Sequence, residues 1–377
     1  MVRNDRGGRG NGGRLIAAPT VRKDREFDSS FLHQRSDFIP SFLHFPGHVA
    51  GSLAFSGRVW YHEAMEHQVV GRFAPSPSGY LHLGNLLAML LAWLDCRAQN
   101  GRLLFRLEDL DPGRSRREYI DALAGDLRWL GLDWDEGWPE EPGFAQSGRS
   151  ERYQAAFETL RRRGLVYPCW CSRARRLAAA SAPAPGEAQF DPGCPCARLS
   201  QEEQARRLAT DRRPAWKLRA PDREISVLDG HYGLLRQNPA REGGDFVICR
   251  SDGVFAYQLA VCVDDMEMGV TRVVRGRDLL DSTPRQSWLI QTLGGTPPSY
   301  CHAPLLVEGG GKLSKRLGSL STQALRREMS PEALVGRLAR LCSLRETAEP
   351  VTPRELLADF DWKKVRTEDI RIDGWTK

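Results

Sequence analysis

Hydrophobic and polar positions switch between two periods in the stretch from residue 69 to residue 130. Residues 69–74 form a short, mostly apolar run, and the polar segment PSPSGY separates them from leucines that recur every three or four positions. This order predicts a buried strand, a tight loop and a helix over about residues 83–97. The run RLLFRLEDLD and a second helical pattern over about residues 117–130 repeat the order. Strand–helix–strand–helix order at this spacing predicts a parallel sheet with crossover helices.

Three patterns further along the chain predict smaller elements. The sequence alternates on either side of SDG at 251–253, which indicates a hairpin. The segment DSTPRQSWLIQTLGG predicts a helix that Ser282 or Thr283 caps and Gly294 ends. The segment SPEALVGRLARLCSL predicts another helix near the C-terminus. Together these elements predict an α/β fold, a Rossmann-like doubly wound parallel sheet followed by a short helical segment.

The composition is typical of a folded globular protein. Of 377 residues, 41% are hydrophobic and 27% are charged. No apolar run reaches the roughly 18 residues of a membrane span. The length suits one large domain or a few smaller ones. The net charge of +6 suits a polyanionic partner without requiring one.

The first 64 residues differ from the rest of the chain. They begin with the Gly/Arg-rich run MVRNDRGGRGNGGR and continue without a steady helical or strand period. Acidic residues such as Asp24 and Glu26 argue against a transit peptide, and no secretory signal is visible. Our preferred interpretation is that the working protein starts near Met65 and that residues 1–64 are disordered or not normally translated. An RNA-binding tail is the alternative.

The segment GRFAPSPSGYLHLGN, between the first strand and the first helix, has the features of a phosphate site. A helix N-terminus leaves backbone N–H groups unpaired and carries partial positive charge. Gly84 lets a ligand approach the backbone, and His82 supplies a donor for a phosphoryl oxygen. A histidine at the start of a helix is also commonly a cap. The segment alone therefore leaves both interpretations open.

A second segment, VEGGGKLSKRLGS, places Lys312 and Lys315 around Ser314 in a glycine-led loop. Two ammonium groups on a flexible loop can close over a triphosphate and stabilise charge on its oxygens. A solvated surface loop is the alternative for this segment when it is considered by itself.

The two segments together resemble the class I aminoacyl-tRNA synthetases. HLGN stands where that class carries His-Ile-Gly-His, and KLSKR stands where it carries Lys-Met-Ser-Lys-Ser. Leu83, Asn85, Leu313 and Arg316 depart from the class pattern, and Asn85 can still donate a hydrogen bond. The resemblance implies that His82 and Lys315 are catalytic. The ATP-binding residues that it implies are His82, Gly84, Asn85, Lys312, Ser314 and Lys315.

Within that class, GRFAPSPSGYLHLGN and RLEDLDPGRS resemble the glutamyl branch. The residue types agree with an acidic substrate, because two planar guanidinium groups, Arg72 and Arg275, suit two carboxylates. Glu108 can pair with the substrate ammonium group, and Tyr257 can wall the pocket and donate its hydroxyl. The glutamate-binding residues that the resemblance implies are Arg72, Phe73, Ala74, Pro75, Ser76, Glu108, Tyr257 and Arg275.

The resemblance also implies an adenylation reaction. The α-carboxylate of glutamate attacks the α-phosphorus of ATP in line and pyrophosphate leaves, so no protein nucleophile is needed. Positioning, and charge stabilisation by His82, the helix N-terminus and Lys315, provide the catalysis. Mg²⁺ is expected to accompany the triphosphate.

About sixty residues follow the implied catalytic region, fewer than the ~100 expected of an anticodon-binding domain. In this respect the chain resembles the glutamyl-Q tRNA(Asp) synthetases. Those enzymes activate glutamate without tRNA and transfer it to the queuosine base of tRNA-Asp. The resemblance covers about residues 68–320. The alternatives are a shortened glutamyl-tRNA synthetase that charges the tRNA 3′ end, and a non-catalytic paralogue that binds amino acid or RNA.

Four of the nine cysteines lie in two close pairs, CWC at 169–171 and CPC at 194–196. Two such pairs can fold around tetrahedral zinc, and a set of reduced thiols without metal is the alternative. The glutamyl-Q synthetases are similar here but carry a tyrosine ligand where this chain has Phe190. We expect Cys196 to replace that tyrosine; loss of the zinc and a site with three protein ligands are the alternatives. The predicted ligands of one structural Zn²⁺ are Cys169, Cys171, Cys194 and Cys196.

These interpretations divide the chain into five segments. An N-terminal extension (1–64) precedes the first half of the nucleotide-binding core (65–165). The zinc-binding insertion (166–215) separates it from the second half (216–320), and a short helical segment (321–377) follows. RARR at 173–176 is either an RNA contact or a solvated helix face. We expect L-glutamate, ATP and tRNA as partners of a cytoplasmic monomer that has no membrane association.

Overall fold

The structure is a computed structural model that describes residues 68–171, 194–210, 212–308 and 320–372, with the backbone of residues 311–312. The interpretations of residues 1–64, of RARR and of Phe190 therefore lie outside the described residues. The described residues belong to one unit, which spans Ala64–Lys377.

Strands and helices alternate along much of the described chain. The helices are α1 (Leu83–Ala98), α2 (Arg117–Trp129), α3 (Ser150–Arg162), α4 (Gln201–Leu208), α5 (Pro239–Glu242), α6 (Tyr257–Glu267), α7 (Thr283–Leu293), α8 (Thr322–Glu328), α9 (Pro331–Leu341) and α10 (Pro353–Leu356). The strands are β1 (Val70–Phe73), β2 (Arg102–Phe105), β3 (Glu136–Gly137), β4 (Val166–Cys169), β5 (Ala215–Leu218), β6 (Ile225–Asp229), β7 (Gly233–Gln237), β8 (Phe246–Cys249), β9 (Arg272–Gly276), β10 (Ser299–Ala303), β11 (Leu306–Glu308), β12 (Gly311–Lys312) and β13 (Ile370–Arg371).

A parallel sheet from two distant parts of the chain forms the centre of the fold. β1, β2 and β3 run parallel, with Phe73 opposite Phe105. β9, β10 and β6 form a second parallel set, to which β7 adds an antiparallel edge strand. The N–H of Thr271 donates to the carbonyl of Val70 at 3.0 Å and so joins β1 to the start of β9. The predicted parallel sheet is confirmed.

Side chains of the central strands alternate between two apolar layers. Phe73 and Phe105 join the cluster that contains the buried leucines of α1. Val70, three positions before Phe73, and Leu104, one position before Phe105, join a second cluster with Tyr300. Because both faces of these strands are buried, they form apolar runs in the sequence instead of alternating with polar residues.

The predicted hairpin around residues 251–253 is wrong in its second half. The turn exists, since the N–H of Arg250 donates to the carbonyl of Val254 at 2.8 Å, but only one β-bridge, between Cys249 and Phe255, follows it. The chain then enters α6, which buries an almost continuous apolar run from Leu259. A buried helix without a polar face has no clear helical period, and its sequence is easily taken for a strand.

The helix predicted after residue 282 is confirmed as α7. Gly294 ends it in the left-handed conformation, at φ 95°. Ser282 occupies the capping position, but its side chain makes no capping hydrogen bond.

The segment after residue 320 packs into the main core. Apolar residues of α9 and α10, such as Leu334 and Leu356, join the cluster that contains α1. β13 then pairs in parallel with β11, a strand that the sequence pattern did not predict. Among the described residues, no helix combines the length and apolar character needed to cross a membrane.

Candidate active site

A cavity of about 440 Å³ opens where the two halves of the sheet meet. Residues that end or follow β1, β2, β9 and β10 line it, so it lies at the carboxyl ends of these strands, the usual ligand position in a parallel sheet. The cavity brings together every residue predicted to bind the amino acid and three of those predicted to bind ATP. They are Arg72, Phe73, Ala74, Pro75, Ser76, Glu108, Tyr257 and Arg275 for the amino acid, and His82, Gly84 and Asn85 for ATP.

His82 caps α1 and lines the cavity at the same time. Its Nδ1 accepts the N–H of Gly84 at 3.2 Å, and Oδ1 of Asn85 accepts the N–H of His82 at 3.3 Å. Because Nδ1 accepts, the proton of the neutral ring lies on Nε2, which is then a donor. A Cβ at Gly84 would lie 3.2 Å from Cε1 of His82, so glycine leaves room for the imidazole.

The capping box changes one prediction made from the sequence. The first N–H groups of the helix were expected to be unpaired, but Gly84 donates to the His82 side chain. The N–H of Asn85 donates to the carbonyl of His82 at 2.8 Å. The prediction is therefore wrong for these two groups. The helix dipole and the Nε2 donor of His82 remain as positive features of this end of the cavity.

The KLSKR segment begins and ends beside this capped helix. β11, which leads into it, contributes to the cavity wall. After the segment, Ser321 forms a β-bridge with His82, and the N–H of Thr322 donates to the carbonyl of Leu81 at 2.9 Å. Of the ATP-binding residues predicted in this segment, the structure describes the backbone of Lys312, whereas Ser314 and Lys315 lie outside the described residues.

Arg72 reaches into the cavity from β1 and is only 5% exposed. Its Nη1 donates to the carbonyl of Val274 at 3.1 Å, and its Nε lies 3.4 Å from Oδ1 of Asp265. Burial opposes ionisation of Asp265, but Arg106 and Arg72 outweigh burial and hold its pKa below the ordinary value. Asp265 thus remains charged and fixes the guanidinium, whose Nη2 is available to a ligand.

Glu108 follows β2 and is held by a fully buried arginine. Nη2 of Arg106 donates to Oε1 of Glu108 at 3.2 Å, and Nη1 donates to Oδ1 of Asp265 at 2.7 Å. Burial raises the pKa of Glu108 above its ordinary value, although Arg106 and Arg72 act against it. One arginine therefore positions two carboxylates, one in the cavity wall and one behind Arg72.

Arg275, at the end of β9, is held from several sides. Its Nε donates to Nε2 of His302 at 3.0 Å, and its Nη1 donates to Oε1 of Gln286 at 2.6 Å. Its Nη2 donates to Oγ1 of Thr283 at 2.9 Å and to the carbonyl of Leu279 at 3.3 Å. A guanidinium has five N–H groups, so these contacts leave one on Nη1. Arg275 therefore brings a fixed charge and one donor to the cavity.

Tyr257 begins α6 and borders the same cavity. Burial raises the pKa of its hydroxyl to about 12, with the negative charge of Glu108 adding to the effect. The hydroxyl stays protonated at neutral pH and can donate a hydrogen bond.

Sequence reasoning missed the buried groups that support these side chains. Asp264 is fully buried and accepts hydrogen bonds from Gln146 at 2.7 Å, Arg149 at 2.7 Å and Tyr153 at 2.9 Å. Asp264 and Asp265 are adjacent carboxylates in an otherwise apolar run, and that contrast was the available clue. The other missed groups are Arg106, Asp229 and His302.

A second polar cluster lies away from the cavity, where β4 meets the 3₁₀ helix Pro195–Arg198. The Sγ atoms of Cys169, Cys171, Cys194 and Cys196 all lie within 4.8 Å of one another. Sγ of Cys194 lies 3.5 Å from that of Cys169 and 3.7 Å from that of Cys171, and Cys171 and Cys196 are 3.9 Å apart. Four sulfurs at about 2.3 Å from a central zinc would lie about 3.8 Å apart, so the cluster fits a tetrahedral zinc site.

The protonation of these thiols is uneven. Burial raises the pKa of Cys171 to about 12, with the neighbouring thiols adding to the effect. Burial also acts on Cys194, but the N–H of Cys196 and two neighbouring thiols donate to its sulfur and lower its pKa. Cys194 therefore loses its proton more readily than an ordinary cysteine, and the thiolate is the form in which cysteine binds a metal.

Comparison with known proteins agrees with this geometry. Residues 68–371 match the family described as tRNA synthetases class I (E and Q), catalytic domain. Glutamyl-Q tRNA(Asp) synthetase of Symbiobacterium thermophilum is 48% identical over 314 residues, which cover 81% of this chain and 96% of the relative. Glutamate–tRNA ligase 2 of Nitrosococcus oceani is 42% identical over 319 residues, 80% of this chain but 65% of the relative.

The fold has a similar solved structure. A glutamate tRNA ligase from Elizabethkingia meningosepticum, crystallised in complex with its amino acid, superposes with a TM-score of 0.68 and 27% identity. The match covers 81% of this chain and 67% of that one. The chain therefore belongs to the class I tRNA synthetases for glutamate and glutamine, a family of ligases, and within it to the glutamyl-Q tRNA(Asp) synthetases.

Proposed function

We propose that this enzyme activates L-glutamate with ATP, without needing tRNA, and transfers the glutamyl group to the queuosine base of tRNA-Asp. One observation carries the first half of the proposal. A single cavity places two buried arginines, a buried glutamate and a tyrosine hydroxyl beside the capped N-terminus of α1. Cations for carboxylates, an anion for an ammonium group and a positive helix end for phosphate lie within one site.

The amino-acid end of the cavity suits glutamate in charge and in number of groups. Arg72 offers its Nη2 edge to one carboxylate, and Arg275 offers its remaining N–H and its charge to the other. Glu108 pairs with the ammonium group, and the hydroxyl of Tyr257 donates a further hydrogen bond. Glutamine lacks one of the two negative charges, so the Arg275 charge would face a neutral amide.

The phosphate end of the cavity lies at α1. Nε2 of His82 donates to a phosphoryl oxygen, and the helix dipole favours negative charge there. We assign Lys312, Ser314 and Lys315 to the binding of the ATP phosphates. Ser321 lies six positions after Lys315 in the sequence, so the chain limits their separation to about 21 Å. The bridge between Ser321 and His82 supports this arrangement.

The reaction follows from this placement. An oxygen of the glutamate α-carboxylate forms a bond to the α-phosphorus of ATP, the bond to the bridging oxygen breaks, and pyrophosphate leaves with the electron pair. Arg72, Glu108 and Arg275 hold the carboxylate in line, while His82 and Lys315 stabilise the charge on the phosphoryl oxygens. A hydroxyl of the modified base then attacks the activated carbonyl, and AMP leaves. Mg²⁺ bound to the triphosphate neutralises part of its charge.

The four-cysteine cluster is proposed to hold one structural Zn²⁺, with Cys196 in place of the tyrosine ligand of the relatives. Support comes from the sulfur–sulfur distances and from Cys196 lying within the set. Zinc bound there ties the end of β4 to the segment that begins at Cys194, across residues 172–193, and contributes folding free energy to that region.

Glutamate-dependent exchange of labelled pyrophosphate into ATP, measured without tRNA, tests the activation step. We expect exchange with glutamate and at least about 100-fold less with glutamine. Absence of exchange would favour the alternative of a non-catalytic paralogue.

Transfer of labelled glutamate tests the acceptor. We expect label on tRNA-Asp that contains queuosine and none on the unmodified transcript of the same tRNA, which is the matched control. Label that appears only on tRNA-Glu would support the alternative of a glutamyl-tRNA synthetase.

Lys315→Ala tests the assignment made from the second signature. Removal of an ammonium group that stabilises transition-state charge should lower the exchange rate about 100-fold or more. Circular dichroism should stay unchanged, because the proposed role is catalytic. Near-normal exchange would contradict the role.

A further inference from the structure

A buried chain of hydrogen bonds runs from β6 through β10 to the Arg275 guanidinium. Oδ2 of Asp229 lies 2.6 Å from Nδ1 of His302, and Nε2 of His302 accepts the Nε–H of Arg275 at 3.0 Å. His302 is fully buried and Asp229 nearly so. Asp229 and His302 themselves do not line the cavity, whereas Arg275 does.

The chemistry of the two ends fixes the proton on the ring. A carboxylate only accepts hydrogen bonds and a guanidinium only donates them. Nδ1 of His302 must therefore carry the proton toward Asp229, and Nε2 must present its lone pair to Arg275. The ring works as a connector with one orientation and one tautomer.

Asp229 is itself fixed by the backbone. Its Oδ1 accepts the N–H groups of His231 at 3.0 Å and of Tyr232 at 2.8 Å, in the turn between β6 and β7. Burial opposes ionisation of Asp229, but the bonds from His302, Tyr232 and His231 outweigh it and lower its pKa. The carboxylate therefore stays charged and cannot rotate without breaking several hydrogen bonds.

The other bonds of Arg275 are equally well supported. Oε1 of Gln286 faces Arg275 because the amide nitrogen of Gln286 donates to Oε1 of Gln258 at 2.8 Å. The hydroxyl of Thr283 donates to the carbonyl of Leu279 at 3.3 Å, which leaves its oxygen to accept from Arg275. The guanidinium plane is thus determined from several sides.

We propose that Asp229 and His302 are positioning residues that set the orientation of Arg275, and with it the selection of a substrate carboxylate. The inference deepens the proposed function and rests on the glutamate site described above. Neither residue touches substrate. They act by holding the one remaining Nη1 donor of Arg275 toward the cavity.

The charges around His302 favour its neutral form. The ring faces Asp229, Arg275 and, further away, Arg72, and it stacks on Tyr300 with an interplanar angle of 14°. The backbone carbonyl of His302 contacts Nδ1 of His231 at 2.7 Å. Burial lowers the pKa of His302, Asp229 acts against that shift and Arg275 adds to it. Protonation of His302 would place an Nε2–H against the Nε–H of Arg275, so the hydrogen bond between the two side chains needs the neutral ring.

Asp229→Asn tests the hydrogen-bond chain from Asp229 through His302 to Arg275 with almost no change in side-chain shape. The asparagine oxygen must accept from the backbone N–H groups, so its NH₂ group faces His302 and forces Nδ1 to accept. The ring proton then moves to Nε2 and opposes Arg275. We expect the KM for glutamate in pyrophosphate exchange to rise about 10- to 100-fold, with the KM for ATP changed less than about twofold.

Two variants at His302 provide an independent test in case Asp229→Asn does not fold. His302→Gln retains an acceptor near Nε2, whereas His302→Phe retains size without an acceptor. We expect the KM for glutamate of His302→Gln to lie closer to the native value. Asp133→Asn, a partly exposed carboxylate away from the cavity, is the matched control and should leave both KM values unchanged.

Nitrogen-15 NMR of the histidine rings reads the tautomer directly. The proton on Nδ1 in the native enzyme and on Nε2 in Asp229→Asn is the expected result. An unchanged tautomer, an unchanged KM for glutamate, or equal effects of the two His302 variants would overturn the proposal. Binding of glutamate without exchange by the native enzyme would refute the proposed function alone, and the same variants would then be compared by calorimetric Kd.

Discussion

The amino-acid pocket and the cysteine cluster both gather polar side chains from distant parts of the chain, but they balance charge differently. In the pocket, Arg72 and Arg106 face Asp265 and Glu108, with Arg106 2.7 Å from Asp265. These four buried charges each have an opposite charge beside them, which is the condition under which buried charges are tolerated. The pocket therefore needs no ligand to hold its shape.

The cysteine cluster lacks that internal balance. Its members are four acids of the same kind, with sulfurs 3.5 to 3.9 Å apart in the closest pairs. Tyr167 lies beside the cluster and donates its hydroxyl to Oδ2 of Asp245 at 2.8 Å, which adds a carboxylate to the neighbourhood. Four thiolates at these distances repel one another unless a cation binds them. The pocket is thus organised before its ligand arrives, whereas in our proposal the four cysteines can all be thiolates only when a cation binds them.

The largest effect that this comparison predicts is at Arg72. Arg72→Met removes a buried cation and leaves Asp265 with Arg106 alone, so we expect kcat/KM for glutamate in exchange to fall about 10²- to 10³-fold. Zinc content, measured by inorganic mass spectrometry, should stay the same, because the two regions are independent.

Arg72→Lys serves as the matched variant for that test. It keeps the charge but loses the planar edge, so its kcat/KM should lie between those of the native enzyme and of Arg72→Met. Equal activity of the lysine variant and the native enzyme would show that charge alone suffices at this position.

Metal removal is the next largest effect. Cys196→Ser should reduce bound zinc well below one per chain and lower the Tm by roughly 5 °C or more, since a structural zinc contributes folding free energy. Cys249→Ser, at a buried cysteine outside the cluster, is the control and should keep its zinc.

A compensating change sharpens the same test. If Cys196 has taken the place of a tyrosine ligand, Phe190→Tyr in the Cys196→Ser background should restore part of the zinc content. Full zinc content in Cys196→Ser itself would instead mean that Cys196 is not a ligand.

The sequence indicated the residues that line the candidate active site better than it indicated the buried residues that support them. Groups in the wall, such as His82 and Arg72, stand in the segments that carry the family resemblance, and that resemblance indicated them. Groups in the support, such as His302 and Asp229, are 73 positions apart and meet only because β10 and β6 are neighbours in the sheet. Strand order is not readable from local periodicity, and so their pairing could not be predicted.

The same limit explains the misjudged details. α6 contains an unbroken apolar run at 259–263, and a short run of that kind is as typical of a buried strand as of a helix. Arg275 lines the cavity, but its four hydrogen bonds to the protein come from residues whose positions only the folded chain defines.

The smallest predicted effect is a pH dependence that belongs to the pocket. Glu108 must be ionised to pair with the substrate ammonium group, and burial raises its pKa. The protonated fraction grows as pH falls through that raised pKa, so the KM for glutamate should begin to rise at a pH above about 4.3, the ordinary glutamate value. Three other charged groups surround Glu108. The positive Arg106 and Arg72 lower its pKa, and the negative Asp265 raises it.

Glu108→Gln separates the effect of Glu108 protonation on the KM for glutamate from the effects of other titrating groups. The variant should show a raised KM for glutamate, by about tenfold at neutral pH, and a KM that rises less steeply as the pH falls. Protonation of His302 also weakens glutamate binding as pH falls, and the dependence that remains in Glu108→Gln measures that contribution. If the variant kept the full native pH profile, Glu108 would not be the group that binds the ammonium, and the balance of charges in the pocket would have to be assigned differently.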